Sequence, residues 1–345
     1  MRYRLLGRSG LRVSELCLGT ATFGGRSGGA SKEESARIFE TFAEAGGNFV
    51  DTSNRYGRGT SEEYVGEFAA SARERFVLAT KYTLSTRGDD PNASGNHRKS
   101  LVQALEASLN RLRTDYVDLY LVHAWDFTVP VEELMRALDD AVRAGKVIHV
   151  GISNAPAWVV SRANTLAELR GWTPFVNVQV EYSLVQREPE RELLPMARDL
   201  GIRVTAYSPL GAGWLAGERG ADPDARPPEG ASRLSRIGTE ADQRNARIAT
   251  EVHRLAEEVD RPVSHVALAW LRQRPDGIIP IVGAQNEHQI KENLACLDLR
   301  LSVEQLDRLD EISRIEPGYP HDLLAREDTR ERVYGDLRDR LDLSP

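Results

Sequence analysis

The feature that most constrains this chain is an alternation. Eight short apolar runs recur along it, at 14–20 (SELCLGT), 47–52 (GNFVDT), 75–81 (RFVLATK), 116–123 (YVDLYLVH), 146–153 (KVIHVGIS), 175–181 (FVNVQVE), 202–208 (IRVTAYS) and 277–283 (GIIPIVG). Between them, stretches such as 32–46, 97–113, 131–145, 190–201 and 245–259 carry apolar residues at three- and four-residue intervals, the period of a helix with one buried face. Strands that are apolar throughout must be covered on both faces, and alternating helices do this when the strands run parallel. Eight repeats over roughly 300 residues predict a closed (β/α)8 barrel rather than an open sheet.

The remaining segments fit around that barrel. YRLLGRSGLRV near the N-terminus predicts a small hairpin around Gly7 to Gly10. Residues 212–238 lack periodicity and are rich in Gly, Pro and Arg, which predicts a long, lid-like loop after the seventh strand. Beyond a last helix-like run, VEQLDRLDEIS, residues 315–345 read as an irregular charged tail. No linker divides the chain, so 1–345 is expected to form a single domain.

Composition narrows the function classes. No apolar run approaches the roughly 18 residues of a membrane span, and MRYRLLGRSG lacks the apolar core of a signal peptide, so a cytoplasmic location without membrane association is expected. The net charge of −7 argues against a nucleic-acid partner. Cys17 and Cys296 lie far apart and form no CxxC pair. The 7 histidines show no HxH or HxxxH spacing, so no metal site is expected.

In a barrel of this kind, chemistry collects at the C-terminal ends of the strands. The second strand ends at Asp51, the third at Lys81 and the fourth at His123, and Tyr56 follows in the loop after Asp51. Taken singly, each has an ordinary structural reading: a turn cap, a rim charge, a histidine satisfied by backbone, a packed loop aromatic. The chain has only five lysines, however, and the other four (Lys32, Lys99, Lys146 and Lys291) fall in helices or turns. The four residues also make chemical sense together. A free tyrosine titrates at about pH 10, and a neighbouring ammonium favours its phenolate. A carboxylate beside that ammonium keeps it charged where burial would discharge it. The phenol then becomes a general acid aimed at a carbonyl oxygen, with His123 able to orient the substrate.

With these spacings, and with GISN at 151–154, YSPLG at 207–211 and IPIVGAQNEHQIKEN at 279–293, the chain resembles the aldo-keto reductase superfamily over residues 1 to about 313. The resemblance implies a TIM barrel that binds an extended nicotinamide cofactor, NADP(H) by family habit with NAD(H) as the alternative, and transfers a hydride to a carbonyl. It implies that Asp51, Tyr56, Lys81 and His123 form a catalytic tetrad. Gly19, Thr20 and Asp51 would line the cofactor, Ser153, Asn154 and Gln179 would hold its carboxamide, and Tyr207 would stack on its ring. Ser208, Leu210 and Gly211 would meet the pyrophosphate, and Gly283, Gln285, Gln289 and Asn293 the adenosine end.

One departure stands out. Where relatives often carry a basic residue for a 2′-phosphate, this chain has Gly283, Gln285 and Gln289, with Glu287 close by; Arg233 and Arg236, just ahead of the next helix, would restore the balance if the long loop folds over the adenosine. Trp125 and Trp214 are candidate substrate-pocket residues, next to Phe127. A small-molecule aldehyde, ketone, keto-sugar or alcohol is the implied substrate, and oligomeric state stays open.

Two rival readings remain. A dinucleotide-binding Rossmann fold fails because Gly24, Gly25, Gly28 and Gly29 contain no pair two apart. Barrels of this resemblance also serve as cofactor-sensing regulatory subunits with little turnover, a reading that a degenerate tetrad would favour.

Overall fold

The computed structural model describes residues 1–24, 29–217 and 239–342. Strands β1 (Tyr3–Leu5) and β2 (Arg12–Ser14) pair antiparallel as a hairpin, closed by the Leu6 N–H donating to the Leu11 carbonyl at 2.9 Å. The barrel follows, in chain order: β3 (Cys17–Gly19), β4 (Phe49–Asp51), β5 (Val77–Tyr82), β6 (Val117–Val122), β7 (Val147–Ser153), β8 (Phe175–Glu181), β9 (Arg203–Tyr207) and β10 (Ile279–Val282). All pair in parallel, and β10 returns to β3 to close the ring. The expected (β/α)8 barrel with an N-terminal hairpin is therefore the observed fold.

The barrel is wrapped by α1 (Lys32–Glu44), α2 (Thr60–Ala69), α3 (Arg98–Leu112), α4 (Val131–Arg143), α5 (Ala157–Arg170), α6 (Leu193–Asp199), α7 (Thr239–Glu258), α8 (Val263–Arg272) and α9 (Glu287–Ala295), followed by α10 (Val303–Ser313). Three of these, α2, α5 and α8, stand beyond the helical runs read from the sequence. In α8 every residue from Val263 to Leu271 is buried, so it has no polar face to create a period. In α5 the pattern is blurred because Trp158 and Leu169 lie exposed on the solvent side.

The segment 315–345 differs from expectation too. It holds α11 (His321–Ala325) and α12 (Glu327–Tyr334), not an irregular tail, with residues 343–345 outside the described set. Of the expected lid-like loop, 212–217 are described and 218–238, with Arg233 and Arg236, lie outside the described residues.

The strands bury two separate apolar layers. Leu18, Val50, Leu78, Tyr120, Val150, Val178 and Val204 point outward to the helices. Cys17, Phe49, Val77, Ala79, Leu119, Leu121, Ile279 and Ile281 fill the barrel interior, and Leu6 and Val13 of the hairpin join them. The hairpin thus plugs one end. Because strand side chains alternate with a period of two, the next inward residues after Phe49, Ala79 and Leu121 are Asp51, Lys81 and His123. The register that packs the core therefore delivers the polar residues to the open mouth.

Candidate active site

Asp51 and Lys81 form a buried ion pair. Lys81 is fully buried and Asp51 nearly so, with Lys81 Nζ 2.5 Å from Asp51 Oδ2. Lys81 Nζ also donates to the Thr52 carbonyl at 2.9 Å and to Tyr56 Oη at 3.3 Å, so all three ammonium protons have acceptors. The second Asp51 oxygen, Oδ1, accepts from Gln179 Nε2 at 2.9 Å. Burial pulls the lysine towards its neutral form, but Asp51 and Tyr56 outweigh that pull, and its pKa stands above the ordinary lysine value. The ammonium is fixed in charge and direction.

Tyr56 reaches this ammonium through a tight turn. Gly57, Arg58 and Gly59 all take positive φ, at 56°, 59° and 101°. A Cβ at Gly57 would lie 3.1 Å from the Phe23 carbonyl, and one at Gly59 would lie 2.8 Å from Arg111 Cδ. The glycines in YGRG are what allow the chain to double back. The Tyr56 ring stands perpendicular to that of His123, with centroids 6.1 Å apart.

His123 is held from several sides. Its N–H faces the Tyr82 carbonyl at 3.1 Å and Thr83 Oγ1 at 3.3 Å, its carbonyl accepts from Asn154 Nδ2 at 2.9 Å, and Ser53 Oγ lies 3.3 Å from Nδ1. Thr83 holds φ at 100°, a strained value for a β-branched residue. Its hydroxyl also accepts from the fully buried Asn96, which bonds in turn to the Ala124 carbonyl. The sequence reading missed Ser53, Thr83 and Asn96. Their polarity alone marks them as loop residues, and their partners come from other strand ends.

The remaining predicted residues lie along the same rim. Ser153 ends β7 in register with Gln179, and its buried hydroxyl has no hydrogen-bond partner among the described residues. Asn154, at φ 48°, accepts from Tyr207 Oη at 2.9 Å, and Ser208 also takes positive φ. Burial, with Glu181 and Tyr56 adding to it, pushes the Tyr207 phenol up. Leu210 is half-buried, and Gly211 donates its N–H to the Ser208 carbonyl at 2.9 Å.

Gly19 sits so close to β10 that a Cβ there would meet Ile281 Cγ2 at 2.7 Å. The Thr20 hydroxyl is committed to the Asp51 carbonyl and Ser61. Gly283 is exposed, a Cβ there would lie 3.7 Å from the Gly19 carbonyl, and Asn293 Nδ2 donates to the Gly283 carbonyl at 3.1 Å. Gln285 and Gln289 are exposed and bonded to each other. Trp125 is buried against the exposed Phe127, and Trp214 is half-buried against the outer core. No cluster of His, Cys, Asp and Glu suited to a metal occurs among the described residues, and none of their helices is long and apolar enough to cross a membrane.

The rim suits a nicotinamide cofactor on its own chemistry. The orphaned Ser153 hydroxyl beside Gln179 and Asn154 is an unmet polar group that a carboxamide would satisfy, and the exposed Gly283 leaves the end of β10 accessible.

Comparison with known proteins agrees with this geometry. Residues 15–314 match the model of the Aldo/keto reductase family. A norsolorinic acid reductase of Aspergillus flavus is 36% identical over 340 residues, covering 95% of this chain and 85% of its own. An aryl-alcohol dehydrogenase of Pestalotiopsis microspora is 36% identical over 338 residues, with 94% and 85% covered. A putative aryl-alcohol dehydrogenase of Saccharomyces cerevisiae is 34% identical over 338 residues, with 94% and 90% covered. A closed eight-stranded barrel whose mouth gathers a buried carboxylate–ammonium pair beneath a phenol, matched over nearly its whole length, makes this chain a member of the aldo/keto reductase family, an oxidoreductase of carbonyls and alcohols.

Proposed function

We propose that this protein interconverts an aryl aldehyde or ketone and the corresponding alcohol, with Tyr56 as general acid in reduction and general base in oxidation. The observation that carries the reading is the chain Gln179–Asp51–Lys81–Tyr56, in which a fully buried ammonium lies 3.3 Å from the phenol oxygen. In that dry setting a positive charge beside the phenol stabilises the negative charge that develops on its oxygen as the proton leaves. Asp51 keeps Lys81 charged, and Gln179 keeps Asp51 aimed. Lys81 never needs to lose its proton: Tyr56 hands its own to the substrate oxygen while the ammonium stabilises the phenolate left behind.

His123, locked by Thr83 and Asn154, orients the substrate oxygen towards Tyr56. Ser153, Asn154 and Gln179 would hold the carboxamide of the cofactor, Gly19, Thr20 and Asp51 would line it and Tyr207 would face its ring. Ser208, Leu210 and Gly211 would meet the pyrophosphate, and Gly283, Gln285, Gln289 and Asn293 the adenosine end. When bound, the nicotinamide cofactor supplies the hydride that the carbonyl carbon receives. NADP(H) is the expected cofactor, with NAD(H) also accepted, because the glutamines at 285 and 289 offer neutral amides where a cation would favour a phosphate.

The aryl assignment draws on the names of the relatives and on Phe127 and Trp214, the exposed and half-exposed aromatics of segments flanking the mouth. The test is a panel of aryl aldehydes, aliphatic aldehydes, keto-sugars and secondary alcohols, run with both cofactors. Aryl substrates should give the highest kcat/KM. Tight cofactor binding with no turnover on any member would leave the regulatory-subunit reading in its place.

A further inference from the structure

The first turn of a helix has backbone N–H groups without intrahelical partners, and these ordinarily welcome an anion. At the start of α9 the Glu287 and Gln289 N–H groups are already engaged, as is that of Gln285 just ahead of the helix. Asn286 Oδ1 accepts the Gln289 N–H at 2.9 Å, and Gln289 Oε1 accepts the Gln285 N–H at 2.8 Å. The Glu287 N–H donates to Glu34 Oε1 at 2.6 Å, a partner 253 residues away.

Glu34 lies in the first turn of α1, which packs against α9. Ser31 caps α1 by accepting the Glu34 N–H at 3.2 Å. In a reciprocal capping box the glutamate would turn back to the Ser31 N–H, as Gln305 does to Ser302 at the start of α10. Glu34 turns outward instead. Its other oxygen, Oε2, accepts from Arg37 Nη2 at 2.5 Å and Nε at 3.2 Å, so the carboxylate is aimed from both sides. The neighbouring charge of Glu287 is answered within its own helix by Lys291, 2.5 Å away. Glu34 is thus a resident anion at the α9 terminus.

We propose that Glu34 is a specificity-determining residue for the cofactor: its carboxylate holds the place at the start of α9 that a ribose 2′-phosphate would take, and so narrows the preference for NADP(H) over NAD(H). This rests on the reading that the adenosine end lies against Gly283, Gln285 and Asn293. A 2′-hydroxyl can donate to the carboxylate where it stands, whereas a 2′-phosphate must displace it and then lie beside its charge. Arg37 limits that penalty, because displacing Glu34 frees a guanidinium for the phosphate.

The test reads binding alone. ADP and 2′,5′-ADP are titrated calorimetrically into the full-length parent, Glu34→Gln and Glu34→Ala, and the ratio of the two dissociation constants is compared. Removing one negative charge at a partly screened site should improve 2′,5′-ADP affinity about five- to ten-fold, while ADP should weaken by no more than about three-fold through the loss of one exposed hydrogen bond. Both variants should shift the ratio in the same direction, which guards against one of them failing to fold. An unchanged ratio with normal ADP binding overturns the role of Glu34 and leaves the cofactor reading intact. Failure of the parent to bind either nucleotide overturns both.

Discussion

The strand ends around Lys81 and the start of α9 follow opposite electrostatic rules. At the reaction end, Lys81 and Asp51 are removed from water, and each polar atom of the pair has a partner from a different strand or loop. At the proposed adenosine end, Glu34, Arg37, Glu287 and Lys291 form ion pairs among side chains that are 21% to 60% exposed. Charges in a dry interior interact strongly and are costly to leave unpaired, while exposed ones are screened and each contributes little. On the proposed reading, a few indispensable contacts fix the chemistry and several weak ones tune the choice of cofactor.

Asp51→Asn should break the comparison most severely, because it strands a buried ammonium. Removing one partner of a buried pair typically costs about 3–5 kcal/mol. In the parent, the Lys81 pKa is raised in the fold, so its contribution to stability is fully present below the unfolded lysine pKa and fades only as pH rises through the higher folded value. In the variant, burial is opposed by Tyr56 without Asp51 and moves Lys81 towards neutrality. The alkaline limb of the pH–rate profile should move to lower pH, alongside a lower Tm. A variant with the parent's Tm and profile would show that the pair does not govern the site.

Tyr56→Phe removes one hydroxyl and leaves the pair intact. Loss of a donor to a developing oxyanion costs about 100-fold or more in kcat. Affinity for 2′,5′-ADP, measured by the same calorimetry, should stay within about two-fold, since the proposed contact lies at the start of α9. Activity within three-fold of the parent would remove Tyr56 from the proton step.

The same division explains what the sequence disclosed. Asp51, Lys81 and His123 were legible because the barrel interior enforces a period of two, and each lies two residues beyond an inward apolar residue. Tyr56 was legible from its place in a glycine-punctuated turn after Asp51. The pairing of Glu34 with Glu287 was not, because a first-turn glutamate three residues after a serine has a sufficient local explanation as a helix cap. Thr83 and Asn96 escaped for a related reason: their role is set by which loops meet above β5 and β6, and strand periodicity carries no information about loops. Helix α8 was hidden by its own burial.

Gln285→Arg sharpens the weaker half of the comparison. A guanidinium replacing a neutral amide should widen the NADP(H) over NAD(H) ratio of kcat/KM by several-fold, since charge-assisted hydrogen bonds are about twice as strong as neutral ones. Combined with Glu34→Gln the gains should fall short of additive, because both changes act on the same phosphate. An unchanged ratio would mean that Gln285 faces away from the 2′ position.

The smallest effect is expected at Glu181, which sits at the buried end but lacks what protects Asp51. It ends β8 in register with Tyr207, and its carboxylate has no hydrogen bond or ion pair among the described residues. Burial, with Glu188 adding to it, pushes its carboxyl above the usual glutamate range. A group whose pKa is raised in the fold favours the native state while protonated, and that contribution is lost as pH rises through the folded value. At neutral pH the ionised carboxylate is therefore a small net cost, softened by partial exposure to solvent. Glu181→Gln keeps the shape and removes the charge. Its Tm should exceed the parent's at pH 8, and the difference should shrink as pH falls through the raised value towards the ordinary glutamate range, where both side chains are neutral. A Tm difference that stays constant from pH 8 to pH 4 would trace the change to packing instead. It would also mean that burial without a partner is tolerated at these strand ends, contrary to the contrast drawn from Asp51.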